Sequence, residues 1–424
     1  MSPRTVLLIS QAFPPEPVVG ALRAANVARA FRDAGYRVVV VTAAMAGEAP
    51  GRRDWMPGVT VHTVLIGPRY RDRLTRLFRR GQPETGSKPA AATPQSSKAT
   101  GLRGVLLSLV WIPDDELRFV YPAYRAARRL LRDGVDLVYT SAPSHSTNLV
   151  GLLLRRLHRL RWAAEFRDPW CYPQGFRVTS FVARANRWLE SLSINAADYL
   201  VTVTDQTAEL YRQRLGKRAA KVVVARNGIP AFTGRDRRRP GAPFRIVYSG
   251  SLYGGRDPRA FIRAVADVAP RYAAAGIQVE VDIFAGGAHP AVPLDDVVNA
   301  LGLRQIVRIH DWVSHDEIQR VQRSADLLLL LAQRQPLQVP NKLYEYLGTR
   351  VPILAIADED GETARMLREV GGHFIVTEDR PDDIARALRE AIENRDVERA
   401  TRAEIMNEWL TDRQMQHLLE AVRP

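Results

Sequence analysis

Cysteine is almost missing from this chain. Cys171 is the only one among 424 residues, so a disulfide scaffold and zinc sites built on two or four cysteines are excluded. Such a chain fits a reducing compartment. Long apolar runs are missing as well. Near the start only Val6 to Ile9 is continuously apolar, shorter than a secretory-signal core. The longest candidate, Gly104 to Trp111, stops at Pro113-Asp-Asp-Glu116, well short of the ~20 residues a spanning helix needs. The eight histidines are scattered and form no His-Glu-x-x-His pair, so no metal is expected. No Gly-x-Gly-x-x-Gly stands after a strand, which leaves a nicotinamide site poorly supported. No recognised nucleic-acid motif accompanies the basic residues, and no nucleic-acid partner is expected.

What is present is ordinary in amount and uneven in placement. Hydrophobic residues make up 46% and charged residues 25%, ample apolar side chain to fill a core. The net charge is +15. Residues 1–220 hold 33 Lys and Arg against 17 Asp and Glu, whereas residues 221–424 hold 28 against 29. Much of the excess lies between Arg69 and Arg103, interleaved with Leu74, Leu77, Phe78 and Leu102. That mixture reads either as a membrane-surface element attracted to anionic lipid or as a solvated loop.

Along the chain, short β-branched runs alternate with stretches at helical spacing. Strands are expected at Val6–Ser10, Val38–Ala43, Val59–Leu65, Asp136–Ser141, Trp162–Phe166, Tyr199–Thr204 and Lys221–Ala225. The second half repeats the pattern at Phe244–Ser249, Val279–Ala285, Val307–Ile309, Asp326–Ala332, Ile353–Ala357 and His373–Val376. Apolar runs without alternation suit parallel strands covered on both faces. The fold class is therefore α/β: two Rossmann-like, doubly wound parallel-sheet domains facing across a cleft. We expect an N-terminal domain over 1–232 with an irregular insertion at about 67–112. A linker over 233–243 follows, then a C-terminal domain over 244–404, and a helix over 405–424 packing back on the first domain.

In doubly wound sheets ligands bind beyond the carboxyl ends of the strands, so the loops there deserve the closest reading. After the first strand, Gly20 permits close backbone approach and Arg23, in the first turn of the helix, can reach a phosphate. His145 follows Ser141-Ala-Pro-Ser and can shuttle a proton, hydrogen-bond a sugar hydroxyl, or simply cap a helix. Arg167, Asp168 and Trp170 end the next strand. Asp168 can orient His145 or bind acceptor hydroxyls, or pair with Arg167 to staple the loop, and Trp170 offers a stacking face. In the second half, Gly250 and Arg256 lie in a glycine-rich loop suited to a diphosphate, and Gly286 and Gly287 allow a flat ring to approach. The helix that opens at Pro340-Asn341-Lys342 favours phosphate at its start. Gln338 precedes it, and Glu345, one turn on, can grip a ribose diol. Asp358-Glu-Asp360 formally fits Asp-x-Asp, a metal-sugar-nucleotide signature of another fold, and reads here as a solvated turn.

Phe166-Arg-Asp-Pro-Trp170, Ser141-Ala-Pro-Ser-His145 and Pro340-Asn-Lys-Leu-Tyr-Glu345 make the chain resemble the GT-B glycosyltransferases. The nearest resemblance is to retaining family 4, in its bacterial exopolysaccharide and lipopolysaccharide branch, and it spans Val6 to about Leu388. The resemblance implies an N-terminal acceptor-binding domain (Arg23, His145, Arg167, Asp168, Trp170). It implies a C-terminal donor-binding domain (Gly20 from the first half, with Gly250, Arg256, Gly286, Gly287, Gln338, Asn341, Lys342 and Glu345). His145, Arg256 and Lys342 would act in catalysis. Glu345 matches the second of the family's paired glutamates, while Leu337 stands where the first belongs, so Gln335 or Gln338 takes over that contact. The resemblance further implies a UDP- or GDP-linked sugar donor, no cofactor or metal, and a lipid-linked or saccharide acceptor. The protein would be cytoplasmic and peripheral on the inner face of the membrane, held through its basic domain. Two alternatives use the same fold: a nucleotide-sugar 2-epimerase, and a non-catalytic nucleotide-sugar-binding partner subunit.

Overall fold

A computed structural model of the chain describes residues 3–423 apart from 17, 69–111, 143, 172–179, 238–240, 253–254, 286–293 and 379. In it the apolar runs are strands because both faces are covered. In β1 (Thr5–Ser10), Val6 and Leu8 face one buried cluster and Leu7 and Ile9 the other. β2 (Arg37–Ala43) divides Val38 and Val40 from Val39 and Val41 in the same way. A side-chain period of two therefore yields an unbroken hydrophobic run.

Two units emerge, residues 1–226 with 414–424, and residues 227–413. The first holds an eight-stranded sheet ordered β3-β4-β2-β1-β5-β6-β7-β8. Its further strands are β3 (Gly51–Met56), β4 (Val59–Val64), β5 (Leu137–Ser141), β6 (Arg161–Phe166), β7 (Tyr199–Thr202) and β8 (Val222–Val224). One face is covered by α1 (Val19–Asp33) and by Met415, Leu418 and Val422. Helices α2 (Leu117–Leu130), α3 (His145–His158), α4 (Ser180–Ala196) and α5 (Asp205–Leu215) serve the other.

The second unit has a six-stranded, all-parallel sheet ordered β11-β10-β9-β12-β13-β14. Its strands are β9 (Phe244–Ser249), β10 (Val279–Phe284), β11 (Val307–His310), β12 (Leu327–Ala332), β13 (Ile353–Ala357) and β14 (Phe374–Val376). In β12, Leu327, Leu329 and Leu331 face one layer and Leu328 and Leu330 the other. Each buried leucine contributes about 1.5–3 kcal/mol relative to exposure. The helices are α6 (Arg259–Ala274), α7 (Leu294–Ala300), α8 (His315–Arg323), α9 (Asn341–Thr349), α10 (Glu362–Val370), α11 (Pro381–Glu393) and α12 (Ala403–Glu408). A last helix, α13 (Thr411–Ala421), begins in the second unit and ends in the first.

Three features differ from the sequence expectation. The first sheet is not wholly parallel: β3 is an antiparallel edge strand paired to β4. Its alternating half-buried and exposed residues, Gly-Arg-Arg-Asp-Trp-Met, carry no apolar run to reveal it. The unit boundary falls at 226/227, and the segment taken as a linker is anchored to the second unit. Thr233 N donates to Gly348 O at 2.9 Å, Asp236 N to Arg323 O at 3.0 Å, and Arg235 pairs with Asp326 at 2.5 Å. The C-terminal segment is two helices rather than one, and only residues from Gln414 onward join the first unit. The basic stretch Arg69–Arg103, with most of the expected insertion, lies outside the described residues.

Candidate functional site

In the second sheet the chain runs outward from β9 to β10 and β11, then restarts at β12 on the other side of β9. The reversal leaves a gap between the carboxyl ends of β9 and β12, where loops diverge and a ligand can enter. A pocket lies there. It is lined by Tyr248, Ser249 and Gly250 after β9, by Arg256, by Leu330 and Leu331 of β12, and by Pro340, Lys342 and Tyr346 of the α9 region. Helix α9 starts at Asn341 with Pro340 before it and no side-chain cap, so its first-turn amides form a positive end toward the pocket rim.

Neutral polar groups fix the pocket floor. Ser249 N donates to the Tyr346 hydroxyl at 3.0 Å, the Ser249 and Tyr346 hydroxyls are 3.1 Å apart, and Gln322 Nε2 donates to Ser249 Oγ at 2.9 Å. Burial pushes the Tyr346 phenol up to about 12, so it stays neutral and joins β9 to α9. On the rim, Lys342 Nζ donates to Glu345 Oε2 at 2.9 Å and Asn341 Nδ2 to Glu345 Oε1 at 3.4 Å. Lys342 and Glu345 remain partly accessible, with 29% and 14% of their side chains exposed. The structure thus brings Gly250, Arg256, Asn341, Lys342 and Glu345 to one end of one sheet.

The loop between β12 and α9 is held from beneath. Asp358 accepts from Arg334 N at 3.1 Å and Gln335 N at 2.7 Å, Glu362 N donates to Pro336 O at 2.7 Å, and Thr363 Oγ1 donates to Gln338 O at 3.3 Å. Asp358 is therefore no solvated turn. Its carboxylate fixes the start of the segment that carries Gln338, a residue not among those that line the pocket. Gly286 and Gly287 lie outside the described residues.

The first sheet reverses between β1 and β5. Gly20 and Arg23 follow β1, and His145 follows β5. Gly20 lies inside the first turn of α1, which opens at Val19, rather than in the loop before the helix. Arg23 is a correction: it is only 3% exposed and does not face a ligand. Its Nε and Nη2 donate to Glu165 Oε1 at 2.9 and 2.7 Å, while Nη1 and Nη2 donate to the Arg226 and Ala225 carbonyls at 2.8 and 2.9 Å. Burial drives the Glu165 carboxyl up, but the Arg23 and Arg167 guanidiniums, with donors from Ser141 and Arg23, outweigh it and leave its pKa below the ordinary value. Arg167 is buried too, and its Nε donates to Ala142 O at 2.5 Å, which ties it to the loop before His145.

His145 opens α3 and stacks on Trp170, ring centroids 5.0 Å apart and 4° from parallel, with Phe166 at 6.2 Å. Its Nδ1 is buried and meets no partner among the described residues. Burial lowers its pKa, against the pull of Asp114 and Asp168, and keeps the ring neutral at pH 7. The Trp170 indole donates to Asn186 Oδ1 at 2.9 Å, which fixes the stacking partner in turn. His145, Asp168 and Trp170 are thus neighbours in the first unit, but Trp170 is only 9% exposed and His145 covers one of its faces, so the expected open stacking face is not there.

Sequence reasoning missed two acids here. Asp114 accepts from Ser146 N at 3.0 Å and Ser146 Oγ at 2.6 Å, anchoring the start of α3. Glu190 accepts from Tyr211 at 2.9 Å and Arg214 at 2.7 Å. For Glu190 the available signal was a lone acid in otherwise basic, apolar surroundings, which demands a partner; Asp114, in the run Asp114-Asp115-Glu116, gave none. Among the described residues no group of three His, Cys, Asp or Glu could hold a metal ion, and no helix is long and apolar enough to cross a membrane.

Comparison with known proteins agrees with this geometry. Residues 20–228 match the model of the glycosyl transferase 4-like domain, and residues 243–394 that of glycosyl transferases group 1. Among solved structures, the chain is similar to HepE of Anabaena, solved in complex with UDP-glucose (15% identity, TM-score 0.61, covering 99% of this chain and 100% of that one). It is similar to a UDP-forming trehalose-phosphate synthase of Burkholderia xenovorans (13%, TM-score 0.64, 99% and 98%). It is also similar to a sucrose-phosphate synthase of Thermosynechococcus elongatus (14%, TM-score 0.62, 98% and 94%). No curated protein sequence matches the chain. At these identities the structural likeness is one of fold.

Proposed function

The chain belongs to the GT-B glycosyltransferases, and we propose that it moves a sugar from a UDP- or GDP-linked donor onto a lipid-linked or saccharide acceptor, with retention and without a metal ion. One observation supports this above the others: Arg256, Lys342 and the open start of α9 border a pocket at the strand-order reversal of the second sheet, with Glu345 one helical turn away. A departing nucleoside diphosphate gains negative charge in the transition state. Fixed guanidinium, ammonium and peptide dipoles stabilise that charge with no reorganisation. In this reading Glu345 accepts from ribose hydroxyls once its contact with Lys342 opens, and Lys342 is then released toward phosphate. Retention follows when the acceptor attacks the face the leaving group vacates, its proton passing to a diphosphate oxygen. In the first unit the neutral His145, held flat against the buried Trp170, offers a hydrogen bond to an acceptor hydroxyl. The basic first half suits an acceptor held at the cytoplasmic face of an anionic membrane, in surface-polysaccharide or glycolipid assembly.

The test is direct. UDP or GDP raises the melting temperature of the native protein, as any ligand bound only to the folded state must. Arg256→Ala and Lys342→Ala each reduce transfer by about 10²–10³ while the protein stays folded, the usual loss for one transition-state donor. Turnover persists in EDTA. Free nucleotide appears only when acceptor is added, which an epimerase does not require. Full activity in both variants overturns the proposal.

A further inference from the structure

Helices α2, α3 and α4 lie side by side on one face of the first sheet, α2 against α3 and α3 against α4. Tyr124 of α2 meets His158 of α3 at 3.1 Å, and Arg155 of α3 reaches Asp198, just past α4, at 2.9 Å. What these helices expose therefore points away from the sheet. Apart from Ser191 and Asn195 near the end of α4, their exposed side chains fall into two classes. One is large and apolar: Tyr121 (69% exposed), Leu153 (37%), Leu157 (62%), Phe181 (53%) and Trp188 (62%). The other is arginine: Arg125, Arg128, Arg129, Arg156, Arg184 and Arg187 are all exposed, and no ion pair engages them among the described residues. The only acid within the three helices, Glu190, is buried and paired with Arg214.

An ordinary solvated helix face mixes both signs and keeps large apolar groups rare and scattered. Across three helices this one excludes acids and repeats an aromatic or leucine beside arginine: Tyr121 with Arg125, Leu153 and Leu157 with Arg156, Phe181 and Trp188 with Arg184 and Arg187. That is the composition of a surface that enters the headgroup region, where aromatic rings and leucines reach the acyl boundary and guanidiniums meet phosphate.

We propose that the outer face of α2, α3 and α4 is a docking surface for an anionic lipid bilayer. The proposal deepens the membrane part of the function given above and needs none of its transfer chemistry. Charge complementarity selects the occupant. A second copy meeting this face about a two-fold axis would set arginines against arginines. The segment 69–111 of this chain carries nine Lys and Arg against two acids, so it too is repelled. A nucleic-acid duplex matches the arginines and leaves the leucines without a partner.

Flotation of the full chain with phosphatidylglycerol-containing vesicles, against pure phosphatidylcholine vesicles, tests the assignment. The wild type floats with the anionic vesicles only. Arg125→Ala, Arg184→Ala and Arg187→Ala each lower partitioning about fivefold at low salt, and the triple variant on the order of a hundredfold. Phe181→Ser with Trp188→Ser lowers it at all salt concentrations. All five positions are exposed, so an unchanged melting temperature verifies folding. A control variant, Arg71→Ala with Arg73→Ala and Arg76→Ala, floats nearly as the wild type. If the control loses flotation and the helix variants keep it, the face is wrong while membrane association stands. If the wild type fails to float, both fall, and nucleotide-induced thermal stabilisation still reports independently on the donor site.

Discussion

The two units build the same crown in opposite ways. Each sheet reverses its strand order once, between β1 and β5 or between β9 and β12, and each presents loops there. In the first unit the charges at the crown are consumed by one another. Arg23 and Glu165 pair at 2% and 0% side-chain exposure, and Arg167 closes on a carbonyl. What remains beside them is His145, kept neutral and stacked on the buried Trp170, with the half-buried Asp168 next to it. In the second unit the polar groups of the pocket floor are neutral, Ser249, Tyr346 and Gln322, and the charges of the pocket stand on its rim. A site for an uncharged hydroxylic acceptor wants the first arrangement and a site for a diphosphate wants the second. The charge distributions of the two crowns thus differ although the topology is shared.

The strongest way to break this comparison is Arg23→Met. It leaves Glu165 ionised and buried without its main partner, and removing one member of such a pair costs about 3–5 kcal/mol. Denaturation followed by circular dichroism should show the first unit losing that stability, and Arg23→Met with Glu165→Gln should recover part of it. Lys342→Met, on the pocket rim of the second unit, removes a partly exposed pair and costs less than about 1 kcal/mol. Equal losses at the two positions would mean that buried and rim charges play the same role, and the contrast would fail.

How much of this was legible follows the same physics. Strands covered on both faces announce themselves, as Leu327–Leu331 does, because no position can be polar. Edge strand β3 and helix α5 do not. The first is half exposed, and the second, Asp-Gln-Thr-Ala-Glu-Leu-Tyr-Arg-Gln-Arg-Leu, has too few apolar positions to show a period. Rim cations such as Arg256 and Lys342 were readable because charge beside a helix start has few other uses. Arg23 looked the same in sequence, and only the fold supplies Glu165, 142 residues away, to occupy it. Ser249, Tyr346 and Gln322 gave no signal, since neutral polar residues acquire meaning only from their partners.

A smaller effect sharpens the second half of the comparison. Asp358→Ala removes the acceptor for two backbone amides, Arg334 N and Gln335 N, under the loop that leads to α9. Bonds to a charged acceptor contribute about 1.5–3 kcal/mol, less where water competes, so a loss near 2 kcal/mol is expected, with weaker nucleotide binding measured by calorimetry. Its neighbour Glu359, in an exposed pair with Arg380, should cost under about 1 kcal/mol when replaced by alanine, with nucleotide affinity unchanged. If Asp358→Ala binds nucleotide as the wild type does, the loop is not part of the donor site.

The mildest test concerns a neutral group inside the second unit. His373 Nδ1 accepts from Ile353 N at 3.2 Å and so fixes the start of β13, while Nε2 is buried without a partner among the described residues. Burial, aided by the nearby Arg399 guanidinium, lowers its pKa to about 3. Unfolded, the same ring titrates near 6.5, so between those values the unfolded chain binds the extra proton. The stability His373 contributes is therefore complete above pH 6.5 and is lost as pH falls, by about 1.4 kcal/mol for each unit at most. His373→Asn keeps an acceptor for Ile353 N and removes the titration. Urea denaturation at pH 7.5 and 5.5 should show the wild-type second unit losing about 1 kcal/mol more than the variant. An identical pH slope in the two proteins would mean that the folded second unit does not keep His373 from taking up the proton.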